Sequence, residues 1–99
     1  MRIAIVCAAA LVVAPLVASA QEASTGRDLA ASCAMCHGTN GRGAVGYEPL
    51  AGMPKQDLVR KVAEFRSGAK PATVMHQIAK GYSDQQIQLI AEYFAAQKR

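Results

Sequence analysis

Hydrophobic and polar positions divide this chain near residue 20. From Ile3 to Ala14 every residue is apolar. Beyond residue 20 the apolar positions recur at helical spacing, and the strict alternation expected of a half-buried strand is missing. Leu58, Val59, Val62 and Phe65 form one stripe, with Lys55, Asp57, Arg60, Lys61, Glu64 and Arg66 around it. A second stripe consists of Ile87, Ile90, Ala91 and Phe94, flanked by Leu89 and Tyr93. Leu29, Ala30 and Cys33 share a third face, and Val74, Met75 and Ile78 make a short fourth.

Capping and breaking residues turn these stripes into four predicted helices. The first runs from about Thr25 to Cys36, because Thr25-x-x-Asp28 has the form of a capping box and Gly38 stops it. The second begins at Pro54, favourable at a first helical position, and ends near Ser67 before Gly68. A short third helix covers about Thr73 to Lys80, closed by Gly81, with Lys70-Pro71 as the linker before it. The last starts after Ser83, with Ser83-x-x-Gln86 as its capping box, and continues to about Gln97. Gly38 to Gly52 is rich in Gly and Pro and reads as loop. The expected fold class is all-α, with the first and last helices packed together.

The apolar N-terminus is not expected to belong to that domain. Met1-Arg2 gives a positive start, Pro15 breaks the run, and Ala18-Ser19-Ala20 supplies a small-residue cleavage pattern. Residues 1–20 thus read as a secretory signal peptide cut before Gln21, leaving 21–99 as one exported, periplasmic domain with no membrane span. The competing reading is an uncleaved anchor, since Ile3 to Ala20 is just long enough to span a bilayer. Cys7 is expected to leave with the peptide.

Charge narrows the function classes. Without Arg2, the remainder keeps 10 Lys and Arg against 7 Asp and Glu, a formal net charge of +3. Its cations are spread from Arg27 to Arg99 without a cluster, which argues against nucleic acid. A domain this small buries a limited core and commonly needs a staple. With only Cys33 and Cys36 left, a disulfide framework is excluded.

Those two cysteines carry the most specific signal. Cys33-Ala34-Met35-Cys36-His37 has the spacing of a c-type haem attachment site. Each sulfur can form a thioether to one porphyrin vinyl group, and His37 is then carried under the iron as an imidazole ligand. A zinc site would need four ligands, with only His76 in reserve. A thioredoxin-like redox pair would sit beside a βαβ pattern, absent here. A bare disulfide is the third alternative in an oxidising compartment.

The second axial position has three methionine candidates in residues 21–99: Met35, Met53 and Met75. Met35 lies between the cysteines and cannot reach across the ring. Met53 precedes the second helix and is expected to fill core. Met75, beyond that helix, has the more comfortable path to the far face, with His76 as rival ligand and otherwise a solvent-facing residue. Ligation by His and Met fills both axial positions, leaves none for substrate, and favours one-electron transfer over catalysis. A backbone carbonyl in Tyr47-Glu48-Pro49 is the expected acceptor for the other His37 ring N–H. Tyr47 is either a propionate partner or an ordinary loop tyrosine. Lys55, Arg60, Lys61, Lys70 and Lys80 are either a docking rim for an acidic partner or solvated helix faces.

Over residues 24–99 the pattern resembles the class I cytochromes c. A helix runs into CxxCH, followed by Gly38-Thr39-Asn40-Gly41 and Pro49-Leu50-Ala51-Gly52, then a methionine before a helix ending in Ala91-Glu92-Tyr93-Phe94. Phe65-Arg66-Ser67-Gly68, Ala72-Thr73-Val74-Met75 and Ile78 to Asp84 resemble more narrowly the cytochrome subunit of flavocytochrome c sulfide dehydrogenases. The resemblance implies four or so helices around one covalent haem c, thioethers at Cys33 and Cys36, His37 as proximal ligand and Met75 as distal ligand. Export agrees with it, because c-type haem is attached outside the cytoplasm. It also implies a redox partner, an FAD-containing sulfide dehydrogenase subunit, with this chain an electron-transfer subunit rather than an enzyme by itself. Many such subunits carry two domains and two haems, and this chain has room for one. The alternatives are a free soluble carrier and a haem protein with an open sixth site for small ligands or catalysis.

Overall fold

The computed structural model describes residues 3–5, 8, 9 and 14–99. Its helices are α1 (Ala14–His37), α2 (Lys55–Ser67), α3 (Met75–Ile78) and α4 (Asp84–Ala95), with single 3-10 turns at Thr39–Gly41 and Ala79–Gly81. The described residues form no strand, only an isolated bridge between Ala44 and Tyr47. The all-α expectation therefore holds.

The core lies where α1, α2 and α4 meet. Ala30 from α1, Leu58 and Val62 from α2, and Ile87, Ile90, Ala91 and Phe94 from α4 are buried together. These are the residues that the three stripes placed on one face. Burying each large apolar side chain contributes about 1.5–3 kcal/mol. Two small residues set the closeness of α1 and α4. Ala30 is buried, and a Cβ added at Gly26 would lie 2.7 Å from the Leu89 carbonyl oxygen. Residues 18–25 of α1 are exposed, and burial begins at Gly26.

The helix ends follow the capping chemistry, with three departures. Ser83 forms both halves of its capping box with Gln86, and Gly68 closes α2 in the left-handed region at φ 83°. Thr25, expected as a cap, lies inside α1 instead, where its hydroxyl donates to the Gln21 carbonyl at 2.8 Å. In an unbroken helix the N–H groups after Thr25 are already bonded to carbonyls four residues back, so Thr25 has no orphan donor to cap and its hydroxyl shares the Gln21 carbonyl. The third helix is shorter than expected, beginning at Met75 rather than Thr73. Val74 has non-helical φ −133° and ψ −27°, and the β-branched pair Thr73-Val74 just after Pro71 is a poor helix start. The last helix ends at Ala95, two residues before Gln97. The signal-peptide reading falls partly outside the described residues; Ala14 to Ala20 are helical and continuous with the rest of α1.

Gly38 to Gly52 is the loop expected from its composition, folded back on the helix that precedes it. Gly38 takes φ 87°, a turn that L side chains resist, and so reverses the chain at His37. Gly43 N–H then donates to the His37 carbonyl at 2.7 Å. Leu50 and Ala51 N–H donate to the Gly41 carbonyl at 2.7 and 2.9 Å, and Gly52 N–H to the Phe94 carbonyl at 2.8 Å. The loop is thereby pinned at one end beneath His37 and at the other on α4.

Candidate haem site

A cavity of about 620 Å³ opens beside the core. That volume falls within the ordinary range for cofactor sites, about 300–1,000 Å³. The C-terminal turn of α1 brings Cys33, Cys36 and His37 to its wall, because helical spacing places them around one turn. Met75, at the start of α3, lines the same cavity. The remaining wall is largely apolar, with Leu58, Val62 and Phe65 from α2 and Ile87 and Ile90 from α4.

His37 is oriented by the loop. Its Nδ1 lies 2.7 Å from the Glu48 carbonyl oxygen, in the stretch expected to supply the acceptor. A carbonyl only accepts, so Nδ1 is the donor, and in the tautomer this selects Nε2 is the nitrogen with a lone pair for a metal. The Glu48 carboxylate accepts from Lys61 Nζ at 3.1 Å, which ties this loop to α2. The Tyr47 ring meets the imidazole edge-on at 5.7 Å between centroids and is partly exposed.

The two cysteines are unbridged. Burial pushes the Cys33 thiol up, so in the unattached form it is held neutral. No group of three or more His, Cys, Asp or Glu among the described residues converges as a metal site, whereas zinc requires about four such ligands. The donor set fits a tethered haem on three counts. Two thiols and an imidazole from one helical turn lie on one wall, the imidazole tautomer is fixed for ligation, and a soft thioether lines the same apolar space.

Met53 is buried in the core, as expected of a filler, and also lines the cavity. Met35 is 87% exposed, pointing away between the cysteines. His76 is half-buried rather than solvent-facing, does not line the cavity, and leaves its Nδ1 buried without a partner. Of the five cations read as a docking rim, Lys55 pairs with Glu92, Arg60 with Asp57 and Lys61 with Glu48, while Lys70 lies over the Phe65 ring. These four are engaged within the chain, and Lys80 is exposed, which favours the solvated-face reading.

Two contacts were not legible in the sequence. The Ser32 and Tyr82 hydroxyls meet at 2.6 Å on the cavity wall, joining α1 to the segment before α4. Arg66, expected on the polar side of α2, donates to the Ala79 and Tyr82 carbonyls and to Asp84. Only the Ser83 cap next to these partners gave a local signal that the chain turns back here.

Comparison with known proteins agrees with this geometry. The family profile described as cytochrome c matches residues 23–98. The chain is 39% identical over 71 residues to the cytochrome subunit of sulfide dehydrogenase of Chlorobaculum tepidum, covering 72% of this chain and 64% of that one. It is 42% identical over 71 residues to the thiosulfate dehydrogenase electron acceptor of Thiomonas intermedia, covering 70% and 33%. It is 35% identical over 83 residues to cytochrome c-554(548) of Halomonas halodenitrificans, covering 80% of this chain and 100% of the relative. The chain thus spans less than two thirds of the first two relatives and all of the third.

Proposed function

The chain belongs to the cytochrome c family, an electron carrier with covalently attached haem c, and we propose that it works as an exported, single-haem carrier with both axial positions filled. Cys33 and Cys36 hold the group through thioethers, His37 Nε2 is the proximal ligand and the Met75 thioether the distal one. When bound, the haem supplies reversible one-electron exchange at its iron. The chain's residues do the rest. The Glu48 carbonyl fixes the His37 tautomer and raises its basicity as a ligand. Leu58, Val62, Phe65, Ile87 and Ile90 wall the group off from water. The observation that carries this reading is that His37 and Met75 line one apolar cavity together with both cysteines.

Replacing Met75 with Ala is the test. The oxidised wild-type protein is expected to show the near-infrared methionine–iron charge-transfer band, and Met75→Ala to lose it and bind imidazole readily. A wild-type spectrum without that band would sink the His/Met assignment and favour an open sixth site. Denaturing electrophoresis with haem staining checks the tether: covalent haem is expected in the wild type and absent from a Cys33→Ser, Cys36→Ser double variant.

Export to the periplasm rests on the Met1–Ala20 pattern; no helix among the described residues is long and apolar enough to cross a membrane. The donor we propose is an FAD-containing, sulfide-oxidising subunit, supported by the similarity to the sulfide dehydrogenase cytochrome subunit. The flavin would oxidise sulfide and this chain would relay single electrons onward. A second reading, a free carrier with no stable flavoprotein partner, is favoured by the full-length match to cytochrome c-554(548). Co-purification of a flavoprotein supports the first, and recovery of a rapidly exchanging monomer the second.

A further inference from the structure

Arg66 closes the base of the loop that presents Met75. The chain leaves α2 through the Gly68 cap, runs through Ala69–Thr73, which are exposed or nearly so, and forms α3, a four-residue helix with no buried residue. A single helical turn does not hold itself in water. The segment is fastened where it returns. Arg66 Nε and Nη2 donate to the Ala79 carbonyl at 3.3 and 3.1 Å, Nη2 also to the Tyr82 carbonyl at 2.7 Å, and Nη1 to Asp84 Oδ1 at 2.6 Å. One guanidinium thus joins residue 66, just before the loop, to three residues just after it.

We propose that Arg66 is a positioning residue for the distal ligand: its fork locks the Met75 segment against α2 and keeps the thioether at the cavity. This rests on the reading of Met75 as the distal ligand. Three acceptors at different angles suit a planar five-donor guanidinium and not a single ammonium. The two carbonyls matter more than Asp84, whose side chain is 93% exposed and whose charge is well solvated. With Arg66 in place the loop ends are already together, so little ordering entropy opposes seating Met75. Without it, the fraction of molecules with Met75 withdrawn rises. The apparent affinity of an external ligand for the vacated position rises in proportion to that fraction.

The test is imidazole binding to the oxidised, haem-loaded full-length protein, followed by the near-infrared methionine–iron band. Arg66→Ala is expected to bind imidazole about tenfold or more tightly than wild type, Arg66→Lys to fail to restore the wild-type value, and Asp84→Asn to change it less than about threefold. Tyr93→Phe, which loses the 2.9 Å bond to Asn40 away from this loop, serves as a destabilised control. Equal affinities in Arg66→Ala and wild type, or a rise in Tyr93→Phe that matches its loss of denaturant stability as Arg66→Ala does, would overturn the positioning role. Full rescue by lysine would overturn the fork argument. A wild-type protein that lacks the band overturns the Met75 assignment and this proposal with it, whereas a normal wild-type band with an unaltered Arg66→Ala overturns this proposal alone.

Discussion

The two walls that bring His37 and Met75 to the cavity are built in opposite ways. The wall carrying Cys33, Cys36 and His37 is one turn of a long helix, and its orientation is completed by a loop eleven residues on through the 2.7 Å bond to the Glu48 carbonyl. The wall carrying Met75 is a four-residue helix with Ile78 half-exposed and Val74 half-exposed just before it, fastened by a guanidinium from another helix. The first is rigid by local structure and by packing of α1 on α4. The second is rigid only as far as its fastening holds. On the proposed His/Met ligation, motion at the iron is therefore expected on the methionine side. Two denaturation signals separate the walls: loss of the methionine–iron band reports the second, and loss of helical circular dichroism reports the α1–α4 frame.

Phe94→Ala is the largest expected blow to the contrast. Phe94 is fully buried and packs edge-on against Tyr93 at 5.4 Å. Its truncation is expected to cost about 3–5 kcal/mol in urea unfolding and to bring both signals down together, because it removes the frame beneath both walls. Gly26→Ala comes next. A methyl group 2.7 Å from the Leu89 carbonyl must push α1 off α4, at an expected cost of about 1–3 kcal/mol. Here helix content should fall at lower urea while the methionine band follows it, not precedes it. Ser83→Ala reverses that order. Loss of the α4 cap costs about 1 kcal/mol, and Ser83 adjoins both Tyr82 and Asp84, the partners of Arg66. The methionine band is expected to disappear at lower urea than the helical signal; coincident transitions would mean that the second wall is not separately fastened.

The same contrast decides what was legible in the sequence. The Cys33–His37 wall was legible because covalent attachment demands a contiguous spacing, and the stretch that supplies the Glu48 carbonyl because Pro49 stiffens the loop after His37. The stripes on α2 and α4 were legible because one face of each is buried in a common core. The Met75 segment was read from chain path and family resemblance, and its fastening was not read at all. Arg66 looked like any polar residue beside the α2 stripe, since two of its three partners are backbone carbonyls, which no side-chain pattern encodes. Thr25 failed as a cap for the converse reason. A capping box is a local pattern, and nothing local revealed that the helix had begun upstream.

Lys61→Gln probes the remaining link, the one between the histidine wall and α2, and is expected to have the smallest effect. Lys61 and the Glu48 carboxylate are 28% and 45% exposed, so their 3.1 Å pair is largely screened by water. Its loss should cost under about 1 kcal/mol and less still at high salt. The bond that orients His37 uses the Glu48 backbone carbonyl, not its carboxylate, and the loop carrying it is also held by Gly43 on the His37 carbonyl and by Gly52 on Phe94. Lys61→Gln is therefore expected to leave the imidazole affinity of the oxidised protein at the wild-type value, as measured in the titration used for Arg66→Ala. If it instead raises that affinity as much as Arg66→Ala does, α2 holds both walls through its cations, and the difference in their rigidity disappears.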